Sequence, residues 1–161
     1  MISTDLFTHG ELDELDLQIL GALQKNARST FSELGQLVGL GAPAVHERVK
    51  RLESRGYVRG YAALLDARRL GLELVAFISV YTAPDADYEA LNAAVAALPE
   101  ICELHSVAAE ESFILKAVTR STSHLDDLLV RLKRTSGIAR TKTTIVLSTP
   151  FERGGIGIAV P

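Results

Sequence analysis

The chain has no tryptophan, a single methionine and a single cysteine, and its aromatic residues amount to 6%. Cys102 has no second thiol with which to close an internal disulfide, which suits a reducing compartment. His9, His46, His105 and His124 are scattered, and no spacing among them or with Cys102 has the form of a zinc site, so no metal or cofactor is expected. Long apolar runs are missing too. The longest, LELVAFISVY, is broken by polar residues well before the ~20 needed to cross a bilayer. The opening MISTDLFTHGELDELD lacks a basic stretch followed by a hydrophobic one, so no secretory signal is expected and the reading is cytoplasmic, with no membrane partner. Nor is there an overall excess of positive charge: 17 Lys and Arg stand against 20 Asp and Glu. That balance excludes a generally basic nucleic-acid coat. His105-Ser106 sits in no nucleophile elbow, and Gly154-Gly155 is not followed by the Lys-Ser/Thr of a phosphate loop, so no catalytic residue is assigned.

What is present is a folded-protein composition, 47% hydrophobic and 23% charged, over 161 residues. That length holds one ordinary domain or two small ones. The charge is unevenly placed. Asp5, Glu11, Asp13, Glu14 and Asp16 come before any Lys or Arg, whereas Arg48, Lys50, Arg51, Arg55, Arg59, Arg68 and Arg69 cluster further on. Local charge governs contact with phosphate, so a basic segment inside an acidic protein is compatible with DNA.

Leu15, Ile19, Leu20 and Leu23 recur at helical spacing, and Asp13 or Asp16 suits the positive start of that helix, which ends near Asn26 and Arg28. Thr30-Phe31-Ser32-Glu33 is a capping box opening a second helix with Leu34, Leu37 and Val38 inward. Gly39 and Gly41 flank Leu40 in a tight turn, Gly39 being free to take positive φ. A third helix starts at Ala42-Pro43, puts Val45, Val49 and Leu52 on one face, and stops at Arg55-Gly56. A helix pair of this kind with a basic second member is how a small domain enters the major groove. The candidate DNA-binding set is therefore Ala42, Pro43, His46, Glu47, Arg48, Lys50 and Arg51. The arginines and lysine suit phosphates or guanine edges, and Glu47 could accept from cytosine N4. Ser29, Thr30 and Ser32 could donate to a phosphate, with simple helix capping the stronger reading for Thr30. Residues 57–61 read as a short strand leading out of this domain.

Beyond residue 72 the period changes. Leu74–Tyr81 is a β-branched and aromatic strand, Asp85–Leu98 a helix, Ile101–Val107 and Ser112–Val118 strands, Ser121–Lys133 a helix, and Ile138–Leu147 a last strand. The order βαββαβ is that of a ferredoxin-like fold with both helices on one face. The expected chain is thus α+β: a winged-type helix-turn-helix domain over 1–60, a linker over 61–71, a βαββαβ ferredoxin-like domain over 72–152 and a flexible tail over 153–161. Both alternating sets of the first strand, Val75, Phe77, Ser79 and Tyr81 against Ala76, Ile78 and Val80, are substantially apolar. A sheet apolar on both faces needs a second partner, the simplest being another copy, so a homodimer is expected.

With those residues in view, the chain resembles the Lrp/AsnC, or feast/famine, family of transcriptional regulators over about residues 11 to 150. LDLQILGALQKNARSTFSELGQLVGL and VHERVKRLESRGYVRGYAALLD carry the likeness. The resemblance implies sheet-paired dimers that assemble into tetramers or octamers, binding to pseudo-palindromic double-stranded DNA, and modulation by an amino acid or related metabolite. Two departures stand out. Gly41 occupies a position where the family usually has Ser or Thr, at a cost of only a few tenths of a kcal/mol. The family's Gly-Asp-x-Asp-Tyr loop reads Ala109-Glu110-Glu111-Ser112-Phe113 here, so the candidate effector-binding residues are Ala109, Glu110, Glu111 and Ser112. Losing the glycine restricts the backbone, and Ser112 removes a counter-charge for an α-ammonium group, which points to a different ligand or none. Two other readings compete: an architectural DNA-coating protein without effector, and a haem-precursor decarboxylase of similar architecture. The basic third helix favours DNA over the enzyme.

Overall fold

The computed structural model describes residues 12–152. The expected tail over 153–161 lies outside them. The chain divides into two compact units, the second running from Leu65 to Phe151 and Glu152 grouping with the first.

The first unit is a bundle of three helices, α1 (Glu14–Lys25), α2 (Phe31–Val38) and α3 (Ala42–Ser54). Each starts where local chemistry allows. Asp13 caps α1 by accepting from the Asp16 amide at 2.8 Å, and Asp16 reaches back to the Asp13 amide. Thr30 and Glu33 close the same reciprocal box on α2, so Thr30 is a helix cap. Gly41 caps α3 without a side chain, and Pro43 fits the first turn. Ile19, Leu23, Leu34, Val38, Val45, Val49 and Leu52 form the core.

Two glycines set the turn. Gly39 is left-handed at φ 70°, as its position in the sequence suggests. Gly35, inside α2, receives the Leu40 amide on its carbonyl at 2.9 Å, and a Cβ there would overlap the Leu40 carbonyl oxygen. The strand expected over residues 57–61 does not form. Gly56 turns left-handed, and the Tyr57 amide folds back onto the Leu52 carbonyl at 3.0 Å, so it is unavailable to a sheet ladder. The following segment contains one 3-10 turn, Arg68–Leu70.

The second unit is β1 (Leu74–Thr82), α4 (Tyr88–Ala96), β2 (Ile101–Ser106), β3 (Phe113–Thr119), α5 (Thr122–Arg134) and β4 (Ile138–Ile145). The strands form one antiparallel sheet in the order β2-β3-β1-β4. Helix α4 begins three residues later than its apolar pattern suggests, because Asp87 accepts from the Glu89 and Ala90 amides and fixes the start. Ala76, Ile78 and Val80 of β1, with Phe113, Leu115 and Ala117 of β3, pack under Leu91, Val95, Leu125, Leu128 and Leu132 of the two helices.

The opposite face of the sheet is not covered by those helices. Register places Val75, Phe77 and Tyr81 there beside Ile114 and Val118, and Phe77 is 43% exposed. Charged groups share this face, Lys116 of the inner strand β3 standing opposite Phe77. Glu103 pairs with Lys116 at 3.3 Å and with His105 at 2.9 Å, while the Arg140 guanidinium lies 3.7 Å above the Tyr81 ring.

Candidate nucleic-acid interface

Helix α3 presents three kinds of side chain. Val45, Val49 and Leu52 are buried against α1 and α2. Ala42 is half-buried, whereas Pro43, His46, Glu47 and Lys50 are exposed. The His46 ring tilts against Phe31 of α2 with 5.0 Å between centroids, and its Nδ1 lies 3.6 Å from Glu47. His46, Glu47 and Lys50 therefore form a solvent-facing row, with a base-edge acceptor and a cation on it.

The two arginines do something else. Arg48 donates through Nη1 to Asp13 at 2.6 Å and to Asp16 at 2.7 Å. Arg51 donates through Nη2 to both Asp16 oxygens, at 3.1 and 3.0 Å. The Asp16 side chain is 2% exposed, Arg48 22% and Arg51 48%. Burial raises the Asp13 carboxyl, but hydrogen bonds from Arg48 and the Asp16 amide, with the charge of Arg48 and Arg51, outweigh it and hold it below the usual carboxylate range. Asp13 and then Asp16 push the Arg48 guanidinium higher in return. Arg48 and Arg51 thus tie α3 to the start of α1 through the buried Asp16 carboxylate.

The sequence places the seven expected DNA-binding residues on one helix, and the structure separates them into an exposed row of three, a pair of arginines held by Asp16, and Ala42 and Pro43 in the first turn. Asp13 and Asp16 belong to that arrangement, although their place in the sequence marks them only as helix starters. A signal existed: two carboxylates three apart and two arginines three apart each share one helix face.

In the second unit, the loop from Val107 to Ser112 is closed by the Val107 amide on the Ser112 carbonyl at 3.1 Å. Ala109 and Glu110 are exposed, while Glu111 and Ser112 are half-buried. Ser112 Oγ lies 2.7 Å from Thr82 Oγ1, which in turn is 3.3 Å from the Tyr88 hydroxyl. Hydrogen bonds with Thr82 and then Ser112 hold the Tyr88 hydroxyl below its ordinary value. Of the four expected effector residues, Ser112 is thus drawn into a hydroxyl cluster, and the negative charge rests with Glu110 and Glu111. Thr82 and Tyr88 carry no sequence signal for this; the turn after β1 and the first turn of α4 bring them in.

A helix-turn-helix head with an exposed polar row on its third helix, followed by a four-stranded antiparallel sheet with two helices, has the build of a DNA-binding regulator with a second, separate domain. Family comparison agrees: the AsnC-type helix-turn-helix domain matches residues 12–53, and the Lrp/AsnC ligand binding domain matches residues 75–156. The chain belongs to the Lrp/AsnC family of transcriptional regulators. It is 37% identical over 141 residues to the HTH-type transcriptional regulator LrpA of Mycobacterium tuberculosis, covering 88% of this chain and 93% of that one. Among solved structures, a Neisseria meningitidis transcriptional regulator in complex with L-methionine matches with a TM-score of 0.87 at 30% identity, covering 91% of this chain and 96% of the other. A feast or famine regulatory protein from M. tuberculosis complexed with L-methionine matches with a TM-score of 0.86 at 35% identity, covering 92% and 99%. No described helix is long and apolar enough to cross a membrane.

Proposed function

We propose that the protein is a cytoplasmic, homo-oligomeric regulator, not an enzyme, that binds double-stranded DNA at specific sites and responds to an amino acid or related metabolite. The observation that carries this reading is the exposed row His46, Glu47 and Lys50 on a helix held by capped neighbours. Residues 1–60 act as the DNA-binding head, 61–71 as a linker and 72–152 as the oligomerisation and effector domain. The uncovered sheet face, with Phe77 at its centre, supports pairing of two copies. Such a dimer reads half-sites roughly one helical turn (~34 Å) or more apart. Tetramers or octamers follow from further pairing. The L-methionine bound by the two relatives supports an amino-acid effector, met here by Glu110 and Glu111 beside the Ser112 cluster.

The test is binding to the gene's own upstream DNA against a scrambled duplex, at two salt concentrations, with and without L-methionine and a mixed amino-acid pool. Selective, salt-sensitive binding altered by an amino acid is the expected result. Equal binding to both duplexes would instead make it a DNA-coating protein, and no binding at either salt would overturn the regulator reading.

A further inference from the structure

Resting on the reading of α3 as the DNA-contacting helix, we infer that Asp13 and Asp16 withhold Arg48 and Arg51 from DNA phosphates and so set how selectively the head binds. A guanidinium engages a carboxylate with the same N–H donors with which it engages a phosphate. The Asp13–Asp16 pair therefore competes with phosphate for Nη1 of Arg48 and Nη2 of Arg51. Arg51 spans both oxygens of Asp16, and Arg48 bridges Asp16 to Asp13. Asp16 is buried, so stripping either arginine from it leaves an under-compensated internal charge, while the phosphate pairing that would replace it is exposed and screened.

The consequence concerns specificity. Phosphate contacts raise affinity for every sequence alike, and base-edge contacts discriminate. Of the three basic residues in the body of α3, the clamp removes two from the sequence-independent term. Lys50 has no ion-pair partner among the described residues and remains available to phosphate, while His46 and Glu47 lie exposed beside it. In a chain of net charge −3 this keeps general DNA affinity low and leaves discrimination to the exposed row. Asp13 and Asp16 are positioning residues in this scheme, acting on DNA only through the arginines.

The experiment measures affinity of the full-length chain for a scrambled duplex across a salt series, for wild type, Asp13→Asn, Asp16→Asn and Arg48→Ala, with helical content checked for each. Asn at position 13 preserves the helix cap but leaves both arginines on Asp16, so Arg48→Ala carries the test if Asp16→Asn fails to fold: a wild-type slope supports the clamp and a flatter one overturns it. Each arginine released to a phosphate should steepen the log–log salt slope by about 0.9, an extra loss of about three- to four-fold between 50 and 200 mM salt. Arg48→Ala should leave the slope at its wild-type value. Unchanged or shallower slopes in both Asn variants would overturn the inference, as would a flatter slope in Arg48→Ala. Should wild type bind no DNA, the regulator reading fails by itself. In that case, salt-sensitive binding acquired by either Asn variant still supports the clamp, and binding by none overturns it.

Discussion

The two units solve the same stability problem with different means. Among the described residues, the core of the head has seven buried apolar side chains and that of the sheet unit eleven. A small unit buries a smaller fraction of its surface, and the head makes up the difference with polar devices: two capping boxes and a four-residue charge clamp around a buried carboxylate. The sheet unit relies on volume. Its strands are paired through the middle of the sheet, and its helices close one face with leucines and valines. The difference teaches that the head's geometry, and with it the aim of α3, is set by charge, whereas the frame of the sheet is set by packing.

That contrast can be broken most sharply at Asp16. Asp16→Ala removes the carboxylate that Arg48 and Arg51 share and should destabilise the head through loss of charge-assisted hydrogen bonds, each contributing about 1.5–3 kcal/mol. Proton NMR of the full chain separates the units, because Tyr57 and Tyr61 report on the head and Tyr81 and Tyr88 on the sheet. Only the first pair should broaden or melt early. Leu128→Ala is the counterpart in the sheet unit, where a fully buried leucine becomes a cavity at a cost of about 2–5 kcal/mol. Here Tyr81 and Tyr88 should respond and the head should not. A matching response of both pairs to either substitution would mean that the units do not unfold independently.

Acid sharpens the comparison, since the sheet unit holds a buried carboxylate of its own. Glu100, its side chain 10% exposed, accepts from Arg131 and lies 2.9 Å from His124 Nε2. Burial raises its carboxyl, but the Arg131 hydrogen bond, its own backbone amide and His124 outweigh that and lower it to about 2. A depressed carboxyl stabilises the fold above its ordinary value of 4.5 and loses that contribution as pH falls toward 2. The loss should be at most about 3 kcal/mol, visible as a falling melting temperature of the sheet unit over that window. Glu100→Gln should remove this component of the acid dependence. The smallest effect is expected at Thr30→Ala, which opens one capping box on α2 and should cost the head about 1 kcal/mol by chemical denaturation.

Much of the frame was legible in order and spacing. The Thr30–Glu33 box, the left-handed Gly39 and the Ala42-Pro43 start of α3 are local events, and each lies where its residues require. The alternation in β1 and the leucine stripe of α5 likewise report which side of each element is inward. Residues 57–61 mislead because their β-branched and aromatic content suits a strand, yet a strand exists only with a partner, and here the Tyr57 amide is spent on Leu52. Gly35 carries no local signal, because nothing nearby in sequence reveals the approach of the Leu40 carbonyl. In the candidate site, the helix itself was readable, whereas the pairing of Arg48 and Arg51 with Asp13 and Asp16 spans more than thirty residues.

The amino-acid sequence by itself determined the elements and their order, because caps, turns and hydrophobic period act over a few residues. It also placed every basic side chain of α3 on its helix. Only the tertiary structure decided which of those charges face solvent and which are neutralised within the head, and that Ser112 joins Thr82 and Tyr88. Those outcomes depend on distances between segments remote along the chain, and burial, which gives a charge pair its strength, exists only once the segments have packed.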